Sequence, residues 1–229
     1  MSGGLARAGA RASLALVVFA IAAAPAAAQR VTRSDPKREV TFAATWVGPV
    51  TFSTTPANLL RPDGGTLPLF TTTNGLAPGV GADIDVGLWL TRSITVEGTA
   101  GWSRTNLRTR VTGDFEGAAD TTVTETIARF AVEGSALWTF ARRGHARYFA
   151  RGGAGWMNEL VGDATYHARG IVGNAGVGMK YWCGNPRPGA SRIGLRVEGR
   201  AVIRDRGVSL GGGRVTVAAV AAGGIVFGF

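Results

Sequence analysis

From residue 38 onward the chain alternates large apolar side chains with small or charged ones. The period is two, the spacing at which successive side chains point to opposite faces of a β-strand. The last segment, 215–229, shows it plainly. One face carries Val215, Val217, Ala219, Ala221, Gly223, Ile225, Phe227 and Phe229, and the other carries Arg214, Thr216, Ala218, Val220, Ala222, Gly224, Val226 and Gly228. Seven more segments read the same way: 38–47, 79–90, 92–105, 122–140, 146–157, 166–182 and 191–204. In 92–105, Ile94, Val96, Gly98, Ala100 and Trp102 oppose Thr95, Glu97, Thr99 and Ser103. In 191–204, Ile193, Leu195, Val197, Gly199, Ala201 and Ile203 oppose Arg192, Arg196, Glu198 and Arg200. The larger side chains line up as if to meet lipid, and no second set of apolar faces is available to cover them as a sandwich would.

The connections add an architecture. Short joins fall around Thr91, at 141–145 and at 183–190. Longer ones, at 48–78, 106–121, 158–165 and 205–213, alternate with them. An even number of antiparallel strands with short turns at one end and longer loops at the other is the pattern of an outer-membrane barrel. The expected fold is all-β: an eight-stranded antiparallel up-and-down transmembrane β-barrel over 38–229, with its turns periplasmic and its loops extracellular. Glycine, 35 of 229 residues, is about twice the usual ~7%. In a narrow barrel it relieves crowding and lets the wall bend.

The first 28 residues carry a different pattern. Arg7 and Arg11 precede an apolar run from Leu14 to Ala24, Pro25 ends it, and Ala26-Ala27-Ala28 offers a small-residue cleavage site. This reads as a cleaved secretory signal peptide, followed by a short periplasmic segment over 29–37. The apolar run is shorter than the ~20 residues a spanning helix needs. The single Cys183 has no partner for an internal disulfide.

Charge and candidate chemistry then narrow the reading. Net charge is +10, but no interleaving of aromatic and basic residues on a soluble face supports nucleic-acid binding, and none is expected. Asp83, Asp85, Glu97, Arg129, Glu133, Arg151, Lys180, Arg196, Glu198 and Arg200 fall on faces that would point inward. An eight-stranded barrel is just wide enough for side chains to fill, and an unpaired buried charge costs several kcal/mol. These residues are therefore expected to pair, with Glu97 and Glu133 as partners of arginines. Trp46, Trp102 and Trp156 lie toward the loop ends of their strands. Phe140, Tyr148, Tyr181, Phe227 and Phe229 lie toward the turn ends. Two aromatic girdles at the water interfaces are expected.

The 48–78 stretch, with Pro49, Pro56, Pro62, Pro68 and Pro78 among threonines, reads as a long extracellular loop, either a surface for ligands or lipopolysaccharide or a solvated cap. Arg104, Arg108, Arg110 and the Asp205-Arg206 pair place positive charge near the outer rim, where lipid phosphates could accept charge-assisted hydrogen bonds. His145 falls in a turn. His167, with Glu159 and Asp163 in the preceding loop, is the one candidate for acid–base chemistry.

On these residues the chain resembles the small bacterial outer-membrane β-barrel family typified by the OmpA transmembrane domain and OmpX-like proteins. The resemblance covers 38–229, and its most specific element is the ending Ile225, Phe227 and Phe229, similar to the C-terminal signal read by the barrel-assembly machinery. It implies an address in the bacterial outer membrane, with outer-membrane lipid and lipopolysaccharide as surroundings. It does not imply one activity. The lipid A deacylase pattern of such barrels has Ser-Asn closely following its histidine, whereas His167 precedes Ala168, Arg169 and Gly170. The expectation is a monomer in no need of a cofactor, metal or catalytic residue, serving a structural or surface-interaction role. A narrow ion or small-solute channel is the alternative, and a lipid-modifying enzyme is a more remote one. No wall-binding domain is expected after Phe229.

Overall fold

The computed structural model describes residues 36–62, 64–162, 166–184, 191–205 and 215–229. The expected leader, most of the 29–37 segment, Asp163, Arg206 and Arg214 lie outside the described residues, as do the side chains of His167 and Asp205. Ten strands are formed: β1 (Arg38–Val47), β2 (Val50–Leu60), β3 (Thr66–Leu76), β4 (Gly79–Trp89), β5 (Ile94–Thr112), β6 (Thr121–Arg143), β7 (Ala146–Val161), β8 (Tyr166–Trp182), β9 (Arg192–Asp205) and β10 (Thr216–Gly228). Eight close a ring in the order β1, β10, β9, β8, β7, β6, β5, β4 and back to β1, each pair antiparallel. The first and last strands close it, with Glu39 opposite Gly228 and Val47 opposite Val220. The backbone N–H of Lys37 and of Arg38 both donate to the Phe229 carbonyl, at 2.8 and 3.1 Å.

The 48–78 loop is corrected by the structure, which makes it a β-hairpin. Two prolines explain both the strands and why the alternation conceals them. A proline has no N–H to give to a ladder, so Pro49 interrupts one strand between β1 and β2, and Pro78 interrupts another between β3 and β4. The pairing survives up to each break: Gly48 donates to Ala219 at 2.7 Å, and Ala77 donates to Asn106 at 2.8 Å. Beyond the break, β3 takes over the place of β4 beside β5. β4 pairs Trp89 through Val80 with Thr95 through Arg104, and β3 then pairs Leu76 through Thr71 with Leu107 through Thr112. Register shifts at Thr51/Ser53 and Ala57/Asn58, which leave Phe52 of β2 and Leu69 of β3 without a register partner, further blur the period within the hairpin. The strands β5 and β6, at 19 and 23 residues, run on with this hairpin. The expected 106–121 loop shrinks accordingly, and a four-stranded sheet rises from the loop end of the ring.

The opposite end is compact. Gly144, at φ 54, makes a two-residue turn between Arg143 and Ala146. At the β4–β5 turn the Thr91 hydroxyl accepts from the backbone N–H of Ser93 and Ile94 at 3.2 and 3.0 Å. The outer wall is apolar between the two ends: Phe42, Ile84, Val86, Val96, Val132, Val177, Leu195 and Val197 are all exposed. Along β5 this belt runs from Ile94 to Trp102, which at ~3.3 Å per residue and a tilt of ~40° is about 20 Å tall.

Candidate functional site

The alternation that turns apolar side chains outward turns charge inward, and the ring encloses it. Among the described residues the buried charged side chains are Glu39, Asp83, Asp85, Glu97, Glu133, Glu159 and Glu198 against Arg129, Arg147, Arg151, Lys180, Arg196, Arg200 and Arg204. Acids and bases are equal in number, so the lumen is balanced and the basic excess of the chain sits outside it.

The lumen is layered. Nearest the turns, Lys180 and the Trp89 indole N–H (3.0 Å) both donate to Glu39. The Arg147 guanidinium lies over Trp89 and Trp182, 5.1 and 6.0 Å from their ring centroids. Trp182 is itself buried. Above them Arg196 is the hub. Its Nη1 and Nη2 donate to the two oxygens of Glu97 at 2.6 and 2.9 Å, Nη2 also reaches Glu198 Oε2 at 2.6 Å, and Asp85 lies 3.4 Å from Nη1. The guanidinium stands 5.2 Å over the Phe149 ring. Arg151 completes the layer, donating to Glu198 (2.9 Å), Ser135 Oγ (2.9 Å) and Thr99 Oγ1 (3.2 Å). Thr99 in turn donates to Asp85 at 2.7 Å.

A third layer joins Arg200 to Asp83 and the Asn174 amide to Glu133. In the fourth, Arg129 (Nε, 2.6 Å) and Arg204 share one oxygen of Glu159. A cavity of about 70 Å³ is lined by members of both, including Asp83, Glu133, Arg200, Arg129 and Arg204. On the loop side, Val50, Leu76, Leu107, Ile127, Val161 and Ala218 form a buried apolar cluster across the mouth. Two of its members, Val50 and Leu76, come from the hairpin.

Every residue expected to point inward is buried, but the partners differ in detail. Glu97 meets Arg196 as expected, whereas Glu133 is bound by Asn174 rather than by an arginine's hydrogen bond. Glu159 is a correction. It was expected in a loop beside His167, yet β7 runs to Val161 and carries Glu159 into the lumen at 1% exposure. Its extended placement follows from the same two-residue period, since Met157, Glu159 and Val161 all face in. Glu39, Arg147 and Arg204 were not singled out, although Glu39 opposes Val40 and Phe42 by the pattern used elsewhere. Trp46, Trp102, Trp156, Phe140, Tyr181 and Phe229 are exposed on the outer wall, and Tyr148 and Phe227 are partly so. Trp138, 6.0 Å from Phe140, stands with them. Phe42 packs edge-on to Phe227 at 6.3 Å, which places one member of the terminal apolar row in the β1–β10 seam. The His145 ring is engaged with the Trp182 carbonyl at 3.1 Å. No cluster of His, Cys, Asp and Glu that could hold a metal occurs among the described residues.

A closed eight-stranded ring, apolar outside and ion-paired within, is the fold of the small outer-membrane β-barrels. Three solved structures show the similarity. Neisserial surface protein A is 12% identical, with 84% of this chain and 97% of that one covered, at a TM-score of 0.48. Ail of Yersinia pestis, solved with the heparin analogue sucrose octasulfate, is 11% identical over 82% and 99% of the two chains, at 0.39. The N-terminal barrel of Pseudomonas aeruginosa OprF is 12% identical over 83% and 98%, at 0.33. No protein-family model matches the chain, and no curated protein matches it in sequence.

Proposed function

We propose that the chain is exported by a cleaved signal peptide and inserted by the barrel-assembly machinery. It then serves in the bacterial outer membrane as a non-enzymatic barrel with a structural or surface-interaction role. The apolar outer belt supports the insertion, because a closed barrel is one of the two ways a backbone can satisfy its polar groups in lipid. Rings of Trp46, Trp102 and Trp156 at one rim and of Phe140, Tyr148 and Tyr181 at the other would sit at headgroup depth. Ile225, Phe227 and Phe229 would serve as the assembly signal.

The observation that carries the closed reading is the layered lumen. A conducting path needs continuous water, and apolar constrictions stop it by dewetting. Here the Val50–Leu76–Leu107–Ile127 layer closes the loop side, paired charges fill the middle, and Arg147 between Trp89 and Trp182 fills the turn end. The interior charge network then acts as polar packing that holds the wall together. The working surface is the projecting sheet. Along β5 the row of Trp102 continues through Arg104, Asn106, Arg108 and Arg110, whose exposed arginines are suited to the phosphates of lipopolysaccharide.

The test is single-channel recording on refolded protein whose folding is checked by heat-modifiable gel mobility. A silent bilayer is expected. Discrete conductance steps that vanish in Glu133→Gln would overturn the closed reading and favour a narrow ion channel.

A further inference from the structure

With the lumen balanced, the positive charge of the chain has to be sought on the outside, and it is not spread evenly there. At the loop end, Arg61, Arg104, Arg108, Arg110 and Arg169 stand against Asp114, Glu116, Asp120 and Glu125, and Arg110 is paired with Asp120 at 2.9 Å. At the turn end, below the buried charges, the described residues include Lys37, Arg38, Arg92, Arg142, Arg143 and Arg192, of which Arg142 and Arg192 continue inward rows, with no aspartate or glutamate side chain among them. Two of these, Arg38 and Arg143, continue outward apolar rows, and Arg92 lies in the β4–β5 turn at the foot of a third. Arg38 comes two residues before Val40, Arg92 two residues before Ile94, and Arg143 pairs with Ala146 next to Tyr148 on the outer face. The Nε of Arg92 and one terminal nitrogen of Arg192 are shielded from solvent with no hydrogen-bond partner. Arg142 donates to the Arg92 carbonyl and ties two of the turns together.

We infer that the turn end is a collar for anionic glycerophospholipids, whose phosphodiester and anionic headgroup groups lie against Arg38, Arg92 and Arg143 where the apolar wall stops. The inference rests on the membrane reading above and adds a lipid preference to it. The phosphate plane of a bilayer lies just beyond the hydrocarbon edge, so a guanidinium at the foot of an apolar row meets it without leaving the wall. Guanidinium groups match phosphate oxygens through two parallel N–H donors. A cell-wall polymer would also offer anions, but it would lie beneath the barrel. It would not select for bases at the foot of the lipid-facing rows.

The experiment uses the mature barrel refolded in phosphatidylcholine vesicles, with spin-labelled phosphatidylglycerol or phosphatidylcholine as the probe and the immobilised fraction read by electron paramagnetic resonance. A preference for the anionic lipid of about fivefold is expected, the scale of one interfacial base. It should fall to parity in the triple variant R38Q/R92Q/R143Q and persist in R104Q/R108Q/R110Q. Equal immobilisation of both lipids by the unaltered protein would overturn the inference, as would a preference that survives the first triple variant. Co-sedimentation with isolated sacculi that the first variant abolishes, without any lipid preference, would overturn it in favour of a wall contact. Insertion into phosphatidylcholine with a shifted gel band separates the two levels. A barrel that inserts but shows no preference sinks the collar alone, whereas a chain that never inserts sinks the membrane reading.

Discussion

Arg196→Met is expected to lower the unfolding free energy of the barrel by about 3–5 kcal/mol, the cost of breaking a buried ion pair from one side. The side chain it removes is 2% exposed and meets Glu97, Glu198 and Asp85. Methionine fills much of the same length over Phe149 but supplies no donor. Three carboxylates are then left facing one another without their common cation. Urea unfolding followed by tryptophan fluorescence and gel mobility measures the loss. Adding Glu97→Gln to Arg196→Met should recover a good part of it, because removing one of the stranded charges relieves the penalty the first change created. A surface pair gives the contrast. Arg110 and Asp120 are also 2.9 Å apart, but their side chains are 60% and 50% exposed, and Arg110→Gln should cost no more than ~1 kcal/mol. Equal costs at the two sites would mean that the lumen is wet enough to screen its charges.

Gly224→Ala is expected to prevent most of the chain from reaching the heat-modifiable folded form. A Cβ at Gly224 would lie 2.1 Å from the Phe42 carbonyl oxygen and 2.6 Å from the Ala43 Cα. Both are backbone atoms of β1, and Ala43 is the direct register partner of Gly224. The two strands cannot separate to make room without opening the seam that closes the ring, so the cost should reach or exceed the ~1–3 kcal/mol of an overpacked site. Gly199→Ala on the neighbouring strand is the control. A Cβ there meets nothing within 4 Å, and the folded yield should be unchanged. If both variants fold alike, the close approach of β1 and β10 is not what requires glycine.

The two positions also show how far the sequence carries. The alternation puts Gly199 on the outward row and Gly224 on the opposite one, but it does not say what a Cβ on either would meet. Which one is indispensable depends on which strand lies beside it. The same holds for Arg196. Its inward direction follows from Leu195 and Val197 on either side, but of its partners Glu97 comes from β5, 99 residues earlier in the chain, and Asp85 from β4. Glu159 was misplaced because a run of eight residues with an aspartate and a glutamate resembles a loop, and only pairing with β6 and β8 keeps it extended. The hairpin of β2 and β3 was hidden by its own prolines. Pro49 and Pro78 interrupt the ladders locally, and the long strand β5 supplies the edge on which β3, and through it β2, pairs again.

What the sequence determined by itself is the direction of nearly every side chain in the wall. A period of two needs no knowledge of the partner strand, and a face of large apolar residues opposite a face of charge already implies a closed ring with lipid outside. The tertiary structure alone decided the rest: which acid meets which base, how the hairpin delivers Val50 and Leu76 to the mouth, and how the excess positive charge gathers at the turns. Those depend on register and shear, which set residues far apart in the chain at the same height, and no local pattern encodes that height.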